Sequence, residues 1–327
     1  MSIRSLAPTK NVDPALEPLI AGFLDWARVE RGFSTETIST YRRSLERFFT
    51  EADVLDVERI SASDVLRFKR LLMNRGCSAS YIAGIVLALR SFLVYCGQVR
   101  GLRVLDPKTV RPPTRPRRAV TYLTPEEVKR FVNSIKLRNR WAGRCRRQNI
   151  NQSGLLYRAL VEILLGTGLR ISEALALRRR DLDWIQREAR VVGKGRKERS
   201  VFFTDRALHW LKAYLGQRST NRNSETCFVD IDGAPLSRVI VGRWFRRQTI
   251  RAGINKTVTA HVIRHTVATT LMFNGCPMGH IKEILGHERL DTTCRYYLGL
   301  DLRRAREAHH QYLTYEIVVE KQDTELT

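Results

Sequence analysis

A mainly helical chain of two domains, with one small β-sheet in the second, is what this sequence predicts. Three observations carry that expectation. Apolar residues recur at helical spacing through most of the first hundred positions and again from about position 124. A Pro- and Arg-rich stretch interrupts the pattern between them. In the second half, two β-branched and aromatic runs flank a glycine-bounded turn, as in a hairpin. At 327 residues the chain is long for one core and comfortable for two, and 43% hydrophobic residues suffice to bury a real interior.

The charge balance narrows the partner. Fifty-seven Lys and Arg against 33 Asp and Glu give a formal net charge of +24. A balance that basic attracts a polyanion, and nucleic acid is favoured over a merely solubilising surface, which usually mixes signs. The six cysteines are scattered with no CxxC pair, which argues against a structural zinc site and a secreted disulfide framework. The opening MSIRSLAPTK lacks the apolar run of a signal peptide, and no window approaches 18 uncharged apolar residues. We therefore expect no membrane span and a cytoplasmic, nucleoid-associated location.

After a polar tail over 1–14, Leu16, Leu19, Ile20 and Phe23 recur at helical spacing. The next helix begins at Ser34, an N-cap, and places Ile38, Tyr41, Leu45, Phe48 and Phe49 on one face. Arg43 and Arg47 fall opposite that stripe and should point to solvent, as a solvated face or as phosphate contacts. In SASDVLRFKRLL, Ser61 and Asp64 resemble an acidic capping box. A fourth helix, from about Ser80 to Tyr95, is apolar nearly all round and should be central. Four short helices make residues 15–100 a compact all-α domain.

Residues 101–120 should be an extended basic connector, because prolines remove helix donors and arginines repel one another. Order resumes over 121–313. Thr124, Pro125 and Glu127 form a capping box. A basic interruption across 137–152 could be a nucleic-acid-facing loop or a helix with a charged outer side. The apolar helix LLYRALVEILL then breaks at Gly166-Thr167-Gly168, which puts Arg170 in the first turn of a new helix. There it could serve an anion or simply pair with Glu173 on the surface. In REARVVGKGRKERSVFF the turn carries Lys194; GKG here is too short and wrongly framed for a nucleotide-triphosphate loop.

From Thr259 a helix carries Ile263, Val267 and Leu271 on its buried side, and His261 and Arg264 share a face. Pro277 starts a further helix that Gly286 terminates immediately before His287, and Asp291 or Thr292 can cap one carrying Tyr296. His261 and His265 stand at i, i+4 as in HExxH, but Val262 replaces the glutamate, so no metal is expected. Taken singly, these residues could be structural. Jointly they suit chemistry on a phosphodiester: two arginines for the nonbridging oxygens, a tyrosine hydroxyl for attack at phosphorus, a neighbouring imidazole or guanidinium to help remove its proton and a lysine to protonate the departing oxygen. No cofactor is required.

In order, TGLRISEALAL, GKGRKERSV, HVIRHTVATTL and LGHERLDTTCRYY resemble the tyrosine site-specific recombinases, the phage-integrase and Xer-like family, over about residues 15–313. The resemblance implies a SAM-like helical core-binding domain and a mixed α/β catalytic domain closing on DNA as a C-shaped clamp. It implies the catalytic set Arg170, Lys194, His261, Arg264, His287 and Tyr296, with Tyr296 nine residues after His287 and Tyr297 an unrequired second phenol. It further implies a 3′-phosphotyrosine intermediate, a Holliday junction and four protomers on two synapsed DNA sites, from a chain that is monomeric or weakly oligomeric when unbound. The tail 314–327 would dock on a neighbouring protomer. A type IB topoisomerase and a non-catalytic DNA-binding protein are the alternatives.

Overall fold

The structure is a computed structural model that describes residues 13–114, 120–137, 148–193, 198–218, 225–230 and 233–286. The chain divides into two compact units, Met1–Arg118 and Ala119–Thr327.

The first unit packs α1 (Glu17–Val29), α2 (Thr35–Ala52), α3 (Ala62–Asn74) and α4 (Ala79–Gln98) around one core. The predicted stripe of α2 turns inward: Ile38, Leu45, Phe48 and Phe49 are buried. Its start is set by Ser34, whose hydroxyl accepts from the Thr37 amide at 3.3 Å, and α3 starts on a complete Ser61–Asp64 capping box. Aromatic edges fill the centre, with Phe23 and Phe92 at 5.4 Å and Phe48 and Phe68 at 5.0 Å. By length and composition alone α4 is long and apolar enough to cross a membrane, although Arg90 interrupts its apolar run. Here Ile82, Ile85, Val86, Leu89, Phe92 and Leu93 of α4 instead form this unit's core, which accounts for its apolar surface.

Two expectations for this unit change. Leu102, Val104, Leu105 and buried Val110 pack on the helical core, so much of the expected connector is part of the unit. Its apolar residues, alternating with charges, supply the surface that packs there. Arg47, unlike the exposed Arg43, does not point to solvent. Its side chain is 13% exposed, bonds Glu51 at 3.0 Å and the Tyr81 hydroxyl at 2.6 Å, and lies over that ring. An acid one turn on and a phenol from α4 give it better partners than water.

The second unit begins with α5 (Pro125–Asn133), started by the Thr124–Glu127 capping box. Next, α6 (Gln148–Thr167) runs through the core and stops at Gly168, whose φ of +65° suits glycine. Then α7 (Ile171–Ala176) leads into an antiparallel sheet ordered β1 (Leu182–Asp183), β2 (Glu188–Val192), β3 (Glu198–Phe202). The β2–β3 register pairs Ala189 with Val201 and Val191 with Arg199, placing Ala189, Val191 and Val201 on the core side. Finally come α8 (Asp205–Gln217), α9 (Arg238–Arg251), α10 (Ala260–Phe273) and α11 (Met278–Leu285). Neither α8 nor α9 was read from the sequence. On α10, Ile263 is buried, whereas Val267 and Leu271 are half-buried and pack with α11 on a small separate cluster. The mainly helical class with a small sheet holds.

Candidate active site

Three elements meet where α11 ends. Gly168 follows α6, and its lack of a side chain lets this turn touch the last element: a Cβ there would stand 2.6 Å from Leu285 Cδ2 and 3.2 Å from Val267 Cγ1. Two residues on, Arg170 is the N-cap of α7. Its backbone N–H donates to Glu173 Oε2 at 2.9 Å and its Nη1 to Glu173 Oε1 at 2.8 Å. Its Nη2 donates to the Gly286 carbonyl at 2.9 Å. The guanidinium therefore puts a full positive charge at the start of this six-residue helix. The pairing with Glu173 exists, but not on the surface, because Glu173 is buried.

Arg264 reaches the same place from α10. It is buried, its Nη1 donates to the Gly168 carbonyl at 2.8 Å, and its Nη2 donates to the Leu285 carbonyl. Two guanidiniums thus hold successive carbonyls, Leu285 and Gly286, at the left-handed C-cap of α11. A third comes from β3. Arg199 Nη2 donates to Glu173 Oε2 at 3.0 Å and to the Leu285 carbonyl at 3.3 Å. Burial pushes the Glu173 carboxyl up, but the hydrogen bonds from Arg170 and the charges of Arg199 and Arg170 outweigh it and hold the pKa below the usual carboxylate value. Glu173 is therefore ionised, with cations on both sides.

His261 opens α10 after the Thr259 N-cap and keeps an exposed edge. Burial of the rest of the ring, then the charges of Arg264 and Arg170, lower its pKa below the ordinary 6.5, so the neutral imidazole dominates near neutrality. Its ring lies 4.0 Å from that of His265, centroid to centroid, at 64°. Among the described residues, no group of three His, Cys, Asp or Glu gathers to hold a metal ion. Anionic oxygens suit this locality better: Arg170 and Arg199 share the Glu173 carboxylate and Arg264 stands on the neighbouring Leu285 carbonyl, so three guanidiniums and one carboxylate leave two positive charges in excess.

Of the six residues expected to do chemistry, the structure brings Arg170, His261 and Arg264 to one locality. Lys194, His287 and Tyr296 lie outside the described residues, as do Tyr297, the tail 314–327 and most of the basic segment 137–152. Described structure reaches Gly193 and Glu198 on either side of Lys194, and ends at Gly286, one residue before His287. Arg199 was missed. Its signal was the strand pattern, in which Arg199 shares the face of buried Val201 and so must turn inward.

Comparison with known proteins identifies the family. Residues 121–303 match the phage integrase family, and residues 20–97 match the phage integrase N-terminal SAM-like domain. The chain is 30% identical to the tyrosine recombinase XerD of Oceanobacillus iheyensis, over 91% of this chain and 98% of the relative. It is 27% identical to XerD of Staphylococcus haemolyticus, over 91% and 99%. In fold it is similar to the XerH site-specific recombinase bound to its difH substrate before cleavage, at a TM-score of 0.67 and 21% identity, covering 95% of this chain and 92% of that one. It is also similar to the Tn1549 transposon integrase in complex with a circular-intermediate DNA, at a TM-score of 0.69 and 20% identity, covering 90% and 99%. The chain belongs to the phage integrase family, the tyrosine recombinases, which cleave and rejoin DNA.

Proposed function

We propose that this enzyme recombines double-stranded DNA at specific sites through the six residues Arg170, Lys194, His261, Arg264, His287 and Tyr296. Tyr296 attacks the scissile phosphorus, forming a 3′-phosphotyrosine and releasing a 5′-hydroxyl. Arg170 and Arg264 take the nonbridging oxygens, whose charge grows in the pentacoordinate transition state. His261, neutral for the reasons given, accepts the tyrosine proton; Lys194 protonates the departing 5′-oxygen; His287 braces the phosphate. A 5′-hydroxyl from the partner duplex then reverses the step and reseals the strand through a Holliday junction. Two synapsed sites need four such protomers, assembled on DNA from monomers or weak oligomers. The biological task is integration and excision of a mobile element or resolution of DNA dimers.

The observation that carries this reading is the convergence of Arg170 and Arg264 on the Leu285 and Gly286 carbonyls. It fixes two guanidiniums next to the position from which the chain continues to His287.

The test begins with Tyr296→Phe protein, used to select its site from a randomised duplex pool. Nicked duplexes carrying that site are then incubated with the wild-type chain and run on a denaturing gel. A covalent protein–DNA adduct should form without Mg²⁺ or ATP, and Tyr296→Phe should abolish it. Loss of the adduct in Tyr297→Phe but not in Tyr296→Phe would move the nucleophile by one residue. Relaxation of a plasmid that lacks the selected site would point instead to a topoisomerase.

A further inference from the structure

We propose that Arg199 is a positioning residue for the phosphate clamp: by sharing the Glu173 carboxylate, it keeps the charge of Arg170 available to the scissile phosphate. The inference rests on the phosphate-binding role given to Arg170 above and adds a residue that this role does not include.

The geometry is specific. One carboxylate, Glu173, receives Arg170 through Oε1 and Arg199 through Oε2. Without Arg199, the buried carboxylate would face Arg170 as its nearest cation, and the pair would be close to neutral. With Arg264 counted in both cases, Arg199 raises the net charge of the group from one positive charge to two. A phosphodiester carries one negative charge, and its pentacoordinate transition state approaches two. The excess therefore matches the state to be stabilised better than the ground state, which is what acceleration requires.

Packing alone does not explain the residue. The Arg199 side chain is 15% exposed, and among the described residues its buried Nε and Nη1 have no hydrogen-bond partner. Leaving buried N–H groups unpaired is costly, and an aliphatic side chain would fill the place with no such cost. The guanidinium also lies close against the α11 C-cap, where a Cβ on Gly286 would stand 2.3 Å from the Arg199 Nε.

The test compares Arg199→Met with wild type on two nicked duplexes of the selected site, one with the normal scissile phosphodiester and one with a neutral methylphosphonate there. On the phosphodiester, Arg199→Met should cleave roughly 10²-fold more slowly, with unchanged DNA affinity. On the methylphosphonate, which removes one of the charges to be stabilised, the deficit should shrink to about threefold or less. An equal deficit on both substrates means that Arg199 serves the fold, and no deficit means that it serves nothing here; either overturns the proposal. Should Arg199→Met not fold, Glu173→Gln/Arg199→Met removes both members of the ion pair together. It should cleave within about threefold of Glu173→Gln alone, because with the carboxylate gone there is no charge to share. A further tenfold loss in the double variant would also overturn it. Absence of any adduct from the wild-type chain is a different result, and it removes the proposed function itself.

Discussion

His261 shows how one side chain's surroundings set a pH dependence. Burial, Arg264 and Arg170 all disfavour its protonated form, so its pKa in the folded chain lies below the ordinary 6.5. For catalysis, the neutral ring that accepts the tyrosine proton persists as pH falls through 6.5 and is lost only at lower pH. Single-turnover cleavage should therefore hold through pH 6.5 and decline below it, and His261→Gln should lose this acid limb along with rate. A limb centred above 6.5, or one unchanged in His261→Gln, would assign the titration to another group. For stability the sign is set by proton uptake on unfolding: below 6.5 the unfolded ring binds a proton that the folded ring resists. This residue's contribution thus falls as pH drops from 6.5 through the folded-state pKa. A melting series in which His261→Gln flattens that dependence is the check.

At the scale of elements, the turn at Gly168 is where the site is most exposed to damage. Its φ of +65° disfavours any side chain, and a Cβ would press into Leu285 and Val267. Gly168→Val should cost roughly 2–4 kcal/mol, combining left-handed strain with overpacking. Chemical denaturation measures it; a change within about 0.5 kcal/mol would mean that the turn relaxes freely. Because the Gly168 carbonyl also holds Arg264, cleavage should fall further than DNA binding. This element also shows what the sequence could and could not reveal. Caps at Ser34, Ser61 and Thr124 were legible because each is a local hydrogen bond between residues three apart. The grouping of His261 with Arg264 was legible for the same reason. Missing α8 was avoidable, since Leu208, Leu211 and Leu215 follow Thr204 at helical spacing. By contrast, α9 exposes Val239, Ile240 and Ile250 among its arginines, which blurs its buried stripe. Nothing local joins Glu173 to Arg199 or Arg170 to the Gly286 carbonyl, 116 residues away; only the tertiary packing that brings β3 and the end of α11 to the start of α7 does.

Across the whole molecule, the +24 charge should make DNA binding electrostatic in origin and steeply dependent on salt. Affinity should drop by roughly 10³-fold or more between about 50 mM and about 200 mM salt, the behaviour of a protein that contacts several phosphates. Basic residues will not share this equally, and Arg43 and Arg47 separate two kinds. Arg43 is exposed on α2, so its charge is available to a phosphate. Arg47 already satisfies Glu51 and Tyr81, and leaving them would strip a carboxylate that is itself only 12% exposed. Arg43→Ala should therefore lower the slope of log K against log salt by about one, with melting temperature unchanged. Arg47→Ala should leave the slope alone and instead lose stability, by about 1–3 kcal/mol, because Glu51 keeps Arg75 as its remaining partner. Equal slope changes in the two variants would mean that Arg47 abandons its ion pair on DNA, and that burial in the unbound chain is no guide to which cations meet the backbone.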